Sequence, residues 1–280
     1  MKILCKIELY KGEESHMNEK KDTLIIMPAY NEEASIGTFL EKLLSAGVTD
    51  YADILVINDA SSDSTEQILM EKKIAHLSHP FNLGYGTALQ SGYKYAVKEG
   101  YSYVIQIDSD GQHDVANVDL IHECLVTEHD GKKTPDLVIG SRFLDGSVSF
   151  KISWAKKIAI HFFRTVIRRE CKQKITDPTS GLQGLSYPVF EYYSHFGNFD
   201  NNYPDSNMII QMALLGFQIQ EIPAIMHKRT SGRSMHFGIL NPMIYVLVML
   251  LSTTNIYLRY KYHLLPIPEI NKGGPKSYEN

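Results

Sequence analysis

The sequence predicts an α/β domain with a mostly parallel central sheet flanked by helices, and three observations predict it. Short β-type apolar runs alternate with amphipathic helical stretches from residue 23 to residue 139, the pattern of a parallel sheet covered on both faces. The apolar content of 44% is enough to bury a sizeable core. Polar clusters fall just after the apolar runs, at the edge where such sheets hold ligands.

Residues 1–22 are charged and poorly periodic, and are expected to lie outside the fold. Residues 24–27 form a first strand, ended by Pro28. Ser35 then opens a helix in which Ile36, Phe39, Leu40, Leu43 and Leu44 recur at helical spacing. Residues 54–57 make a second strand closed by Asn58 and Asp59, residues 64–73 a short helix, and residues 75–77 a weak third strand. A helix over 86–99, a strand over 103–107, a helix over 116–128 and a strand over 137–139 continue the alternation. After residue 150 the character changes. Residues 151–174 hold eight lysines or arginines and one acid, Glu170, with Trp154, Ile158, Phe162 and Val166 at four-residue steps. That describes a basic amphipathic helix. The turn-rich Asp177-Pro178-Thr179-Ser180-Gly181 precedes a helix over 206–215 and a strand over 219–222. The expected organisation is a main domain over 23–235, an apolar or interfacial helical segment over 236–270, and a disordered tail over 271–280.

A net charge of −4 gives no reason to expect a nucleic-acid partner. Cys5, Cys124 and Cys171 are scattered, so neither a disulfide framework nor a zinc site is expected, and a reducing, cytoplasmic compartment fits. The N-terminus lacks the long apolar stretch of a signal peptide. The most apolar run, 239–251, contains Asn241 and Pro242 and is shorter than the about 20 residues that span a bilayer. It reads as a buried helix or as one lying in the membrane interface.

The densest polar cluster runs from Asp108 to Asp114 after the fourth strand. In an extended chain alternate side chains share a side, so Asp108, Asp110 and Gln112 are expected together, a donor set suited to Mg²⁺ or Mn²⁺. A solvated Asp-rich turn is the plain alternative. Asp59 ends the second strand, where a carboxylate can accept from a base N–H or a ribose hydroxyl, although Asp63 and Ser64 are better placed to cap the next helix. Asn82 and Gly84 lie in Asn-Leu-Gly-Tyr-Gly, which permits close backbone approach to a phosphate without completing a Rossmann fingerprint. Arg142 after the fifth strand, with Arg229 and Arg233 in the basic loop 227–234, are candidate diphosphate contacts, or solvated cations. His113 and Asp114 are expected to shape the turn.

These stretches resemble family 2 glycosyltransferases when read in order: MPAYNEE, VINDASSDST, NLGYGTALQSG, QIDSDGQHD, IGSRF, DPTSGLQG and EIPAIMHKRTSGRS. The likeness is greatest to the polyprenyl-phosphate and dolichol-phosphate sugar transferase branch and to bacterial surface-polysaccharide enzymes. The resemblance covers residues 23–234 and implies a GT-A fold with an inverting, Mg²⁺- or Mn²⁺-dependent transfer from a nucleotide-diphosphate sugar, UDP first. It implies a polyprenyl phosphate or lipid-linked glycan as acceptor, in cell-envelope polysaccharide assembly at the cytoplasmic face of the membrane. Position by position, Pro28, Tyr30, Glu32 and Asp59 would hold the nucleoside, and Asp108, Asp110 and Gln112 the metal and diphosphate. Arg142, Arg229 and Arg233 would bind phosphate, and Asp177, Ser180 and Gly181 would shape the acceptor side. Asp205 is the candidate base, where the family often carries an acid; its plain reading is a helix cap.

The sequence departs from the family at Asn58, where an acid is common, and at Ala60, where glycine is common. A sugar nucleotidyltransferase is the alternative from the same fold neighbourhood, but MPAYNEE does not supply its glycine-rich phosphate loop. A non-catalytic nucleotide-sugar-binding protein is the third reading, opposed by retention of Asp108, Asp110, Gln112 and Arg142. A homo-oligomer is compatible with all three.

Overall fold

The computed structural model describes residues 8–10, 21–128, 133–149, 160–161, 164–165, 167–169, 173–228 and 240–266. In chain order they form β1 (Glu8–Tyr10), β2 (Thr23–Ala29), α1 (Ile36–Ser45), a 3₁₀ turn (Val48–Asp50), β3 (Ala52–Asn58), α2 (Thr65–Glu71) and β4 (His76–Ser78). Then come α3 (Tyr85–Glu99), β5 (Tyr103–Gln106), α4 (Ala116–Val126), β6 (Leu137–Ser141), β7 (Gln183–Ser186), α5 (Tyr187–Ser194), α6 (Ser206–Leu214), β8 (Ile219–Pro223) and α7 (Leu240–Lys261).

The strands make one eight-stranded sheet in the order β1-β4-β3-β2-β5-β7-β6-β8. Strands β4, β3, β2 and β5 run parallel, as do β6 and β8, while β1 and β7 are antiparallel to their neighbours. Alternation along the strands builds two cores. Leu24, Ile26, Leu55, Ile57 and Val104 face α3, α5 and α6 through Tyr93, Phe190 and Ile209. Ile25, Met27, Val56 and Ile105 face α1 and α4 through Phe39, Leu40, Ile121 and Leu125.

Pro28 lies inside β2 without disrupting it. Its carbonyl accepts from Ser109 Oγ at 2.8 Å, on the side where β5 has already ended at Gln106. Its missing N–H therefore removes no ladder bond.

The N-terminal residues expected outside the fold contribute β1, which pairs with β4 through Glu8↔Ser78, Leu9↔Leu77 and Tyr10↔His76. Strand β7 and helix α5 were not expected. Gln-Gly-Leu-Ser has no β-branched residue to announce a strand; it is recruited by β5 and β6 on either side. The apolar stripe Trp154, Ile158, Phe162 and Val166 lies outside the described residues, as do the tail 271–280 and both loop arginines, Arg229 and Arg233.

Candidate active site

The carboxyl ends of β2, β3 and β5 converge on one edge, and the loops leaving them are stitched together. Asn31, in the left-handed region at φ 55, accepts from Ser62 N–H through Oδ1 at 2.8 Å and donates its own N–H to Ser61 Oγ at 3.0 Å. Glu33 N–H donates to Asp63 Oδ2 at 3.0 Å, and Asp63 Oδ1 accepts from Thr65 N–H at 2.9 Å, opening α2. Glu32 Oε2 accepts from Ser35 Oγ at 2.6 Å at the start of α1. Beside this seam Tyr30 is 48% exposed, an aromatic face available to a base.

Asp59 is buried, and its role is more structural than the sequence suggested. Oδ1 accepts from His79 Nδ1–H at 2.7 Å and from Leu83 N–H at 2.9 Å, and Oδ2 accepts from Gly84 N–H at 2.8 Å. His79 Nε2 pairs with Ser91 Oγ on α3 at 2.9 Å. Burial alone would raise the Asp59 carboxyl, but the His79, Leu83 and Gly84 hydrogen bonds outweigh it and hold it below the ordinary range. Asp59 thus anchors the Asn82–Gly84 loop, leaving Asn82 exposed at its tip.

Asp108 lies at the centre. Its Oδ1 accepts from Tyr85 Oη at 2.8 Å, and its Oδ2 lies 3.8 Å from Nε2 of the buried His113. Gln106 braces the group from below. Its Oε1 accepts from Tyr93 Oη at 2.5 Å, and its Nε2 donates to the Gly181 carbonyl at 2.9 Å and to Tyr85 Oη at 3.3 Å. Gly181 is required by proximity, since a Cβ there would stand 2.9 Å from Asp108 Oδ2. Burial raises the Tyr85 phenol well above its ordinary value, followed by the charge of Asp108, and Asp205 adds to the effect. Tyr85 is therefore a neutral hydrogen-bond donor to Asp108. Asp205 sits at the start of α6, and its side chain makes no capping hydrogen bond.

The extended alternation expected through Gln112 does not occur. Strand β5 ends at Gln106, and the chain turns at Gly111, φ 72. Asp110 Oδ1 accepts from Gln112 N–H at 3.0 Å within this turn. Gln112 reaches toward the His227 carbonyl at 3.5 Å, while His227 pairs with Asp114 at 2.8 Å. Asp114 does shape the turn, accepting from Ala116 N–H at 3.0 Å. Among the described residues no three His, Cys, Asp or Glu side chains converge as an all-protein metal cage. A hard cation that also takes substrate phosphates needs only one or two carboxylates, and Asp108 with Asp110 fits that requirement.

Arg142 and Asp177, read separately as phosphate and acceptor contacts, are partners. Arg142 Nε and Nη2 each donate to Asp177 at 2.7 Å, its backbone N–H donates at 3.0 Å, and Nη2 also reaches Thr179 Oγ1 at 2.7 Å. Burial alone would raise the Asp177 carboxyl; the Arg142 hydrogen bonds and charge hold it below the ordinary range. Thr176 and Asp177 N–H groups both donate to Glu221 at 2.7 Å. Ser180 Oγ donates to the Gly140 carbonyl at 2.6 Å. The segment 176–181 is thereby clamped against β6, which delivers Gly181 to Asp108. Sequence reasoning missed His79, Tyr85, Gln106, Thr179 and Glu221. Of these only Tyr85 and His79 carried a signal, as polar groups beside a glycine loop.

A model of glycosyl transferase family 2 matches residues 24–194. The chain is 29% identical over 219 residues to an uncharacterized protein of Methanocaldococcus jannaschii, covering 78% of this chain and 87% of that protein. It is 27% identical over 221 residues to the undecaprenyl-phosphate mannosyltransferase of Micrococcus luteus, covering 77% and 87%. Its fold is similar to that of glucosyl-3-phosphoglycerate synthase from Mycobacterium tuberculosis in complex with Mn²⁺, UDP-glucose and phosphoglyceric acid. The TM-score is 0.60 at 17% identity, over 84% of this chain and 80% of that one. The sheet and its helices are those of a GT-A fold.

Proposed function

The chain belongs to glycosyl transferase family 2, and from that premise we propose an inverting, metal-dependent transfer of sugar from a nucleotide-diphosphate sugar to a polyprenyl phosphate or lipid-linked glycan. The observation that carries the reading is the Asp108–Tyr85–Gly181 cluster at the end of β5. UDP is the first choice of nucleotide, by analogy with the UDP-glucose in the similar structure. The lipid phosphate follows the relative named as an undecaprenyl-phosphate mannosyltransferase. The reading carries with it cell-envelope polysaccharide assembly and attachment at the cytoplasmic face of the membrane.

The nucleoside would lie over Tyr30, along the Pro28–Glu32 and Asp59–Ser64 loops. Asp108, Asp110 and Gln112 would hold Mg²⁺ or Mn²⁺ with the diphosphate, and the bound cation would offset the charge that develops on the leaving group. Arg229 and Arg233 would supply further positive charge to the phosphates. Arg142 serves by holding Asp177, and through it Ser180 and Gly181, on the acceptor side. Inversion requires one in-line displacement at the anomeric carbon. A hydroxyl acceptor would give its proton to Asp205. A phosphate acceptor needs no base, because it is already largely anionic at neutral pH with a second pKa of about 6.

The test is to incubate the protein with Mn²⁺ and a panel of UDP-, GDP- and dTDP-sugars, with and without polyprenyl phosphate, and to measure released nucleoside diphosphate. Acceptor-dependent release that Asp110→Asn abolishes, in a protein that stays folded, is expected. Release of pyrophosphate, or none with any donor, would overturn the reading.

A further inference from the structure

The Asp108 side chain is 31% exposed, and the terminal torsion of an aspartate is soft, so packing alone does not fix its carboxyl plane. Hydrogen bonds must do so, and one chain of them runs from Asp108 back through the core to Tyr93. Chemistry sets its direction. A carboxylate only accepts, so the Tyr85 proton is committed to Asp108 Oδ1 at 2.8 Å. The Gly181 carbonyl also only accepts. The Gln106 atom that meets both this carbonyl, at 2.9 Å, and Tyr85 Oη, at 3.3 Å, is therefore the amide nitrogen. That leaves Oε1 to accept from Tyr93 Oη at 2.5 Å. Burial raises the Tyr93 phenol well above its ordinary value, so it stays a donor. Tyr93 donates to Gln106, Gln106 to Tyr85 and Tyr85 to Asp108, and hydrogen bonds aligned in this way strengthen one another.

The chain is built on rigid elements. Tyr85 and Tyr93 stand about two turns apart on α3, and Gln106 is the buried last residue of β5. Tyr85 opens α3 directly after Gly84, whose N–H is held by Asp59 Oδ2 at 2.8 Å. One dipeptide, Gly84-Tyr85, therefore joins two acids of the site, its backbone to Asp59 and its phenol to Asp108. Gln106 works on the other side as well. Through the Gly181 carbonyl it holds the residue whose lack of a Cβ makes room for Asp108 Oδ2. His113 Nε2, 3.8 Å from that oxygen, is too far to share the task by a hydrogen bond.

We propose that Tyr85 and Gln106 are positioning residues for the carboxylate that receives the cation: Tyr85 sets the orientation of Asp108, and Gln106 fixes Tyr85 and Gly181 around it. Neither is a metal ligand or a catalytic residue. The role rests on the metal-dependent transfer proposed above and deepens it. It also accounts for an amide at the buried end of a strand, a place where a polar group is tolerated only when fully bonded.

The test is a titration of the full chain with Mn²⁺ in the presence of UDP, GDP or dTDP, with unbound Mn²⁺ read by electron paramagnetic resonance, alongside melting temperature and turnover. Tyr85→Phe removes one oxygen and should fold as wild type does. Its dissociation constant for Mn²⁺ should rise about 10-fold to 100-fold, the range seen when a group that orients a metal ligand is lost. Saturating Mn²⁺ should return its turnover to near the wild-type value, because the lost group orients a ligand without joining the chemistry. Gln106→Met should weaken Mn²⁺ binding less, since Tyr85 still donates to Asp108. It should lower the melting temperature more, since it strands the Gly181 carbonyl and the Tyr93 hydroxyl. The two variants thus rank in opposite orders by metal affinity and by stability, which a merely structural role would not produce. Wild-type Mn²⁺ affinity in Tyr85→Phe, or a turnover deficit that saturating Mn²⁺ leaves in place, would overturn the proposal and keep the enzyme reading. A wild type that binds no Mn²⁺ with any of the three nucleotides overturns the metal assignment and this role with it. Tyr85-dependent Mn²⁺ binding without sugar transfer keeps the role and removes the transferase reading.

Discussion

Replacing Asp177 by asparagine tests whether Arg142 and Asp177 act as a structural clamp. Asp177 is fully buried, and the Arg142 side chain is only 8% exposed. Asparagine keeps the shape but turns one acceptor into a donor, facing a guanidinium that already donates at 2.7 Å to each carboxylate oxygen. It removes the carboxylate charge facing a buried cation, a change that costs about 3–5 kcal/mol. Against a total stability on the order of 5–15 kcal/mol, the urea midpoint should fall steeply at unchanged m-value. The pH dependence supplies a second readout. The folded Asp177 carboxyl is held below its ordinary value by Arg142, against the effect of burial. Its contribution is therefore complete above the unfolded value of about 3.9 and is lost as pH falls through the lower folded value. Asp177→Asn should remove that part of the acid limb while leaving the neutral region flat. Arg142→Met/Asp177→Leu should recover part of the lost stability, because neither charge is then stranded, although the Arg142 backbone N–H loses its acceptor. A loss under about 1 kcal/mol for Asp177→Asn, with an acid limb matching wild type, would refute the clamp.

Three further outcomes follow from the same geometry. Gly181→Ala would put a methyl 2.9 Å from Asp108 Oδ2 and 3.4 Å from Tyr85 Oη; kcat/KM with Mn²⁺ and the donor should fall at least about 10-fold with little change in Tm, and unchanged turnover would separate Asp108 from the chemistry. His79→Phe removes a donor from the buried Asp59 and should cost about 1–3 kcal/mol; KM for the donor should rise more than kcat falls as the Asn82–Gly84 loop loosens, and an unaltered KM would count against Asp59 as its anchor. Ala60 sits in the left-handed region at φ 58, where a Cβ costs roughly 1–2 kcal/mol; Ala60→Gly should leave stability unchanged or raise it by up to about 1 kcal/mol after glycine's entropy is charged, so a clear drop in Tm would contradict that backbone geometry.

The parallel half of the fold was legible because its signals are local. Runs such as Leu24–Met27 alternate between two cores, and each must end in turn chemistry, so strand and helix order can be read directly. The antiparallel half was not. Strand β7 is four residues, Gln-Gly-Leu-Ser, held in place by neighbours far away in sequence rather than by its own propensity. Strand β1 is likewise made by pairing with β4 across sixty-odd residues. The positive φ at Ala60 shows the converse: a departure from the family at one letter marked a backbone position that does favour glycine.

The site was legible as a set of ends and illegible as a set of pairs. Asp59, Asp108, Arg142 and Asp177 each stand where a strand or turn ends, so each could be named from position. What each side chain touches depends on pairings that sequence position does not specify: Asp59 with His79 and Gly84, Asp108 with Tyr85 and Gly181, Arg142 with Asp177. A buried carboxylate must find donors before it can serve a ligand. That requirement recast Asp59 as a loop anchor and Arg142 as a clamp. It also sharpens the role of Asp108. Its neighbours include the Tyr85 phenol, which donates to Oδ1, the buried His113, whose Nε2 lies 3.8 Å from Oδ2, and Gly181, which has no side chain to crowd it. Held by the Tyr85 hydroxyl and given room by Gly181, the carboxylate is fixed in orientation, which is what a metal-bridged diphosphate would require of it.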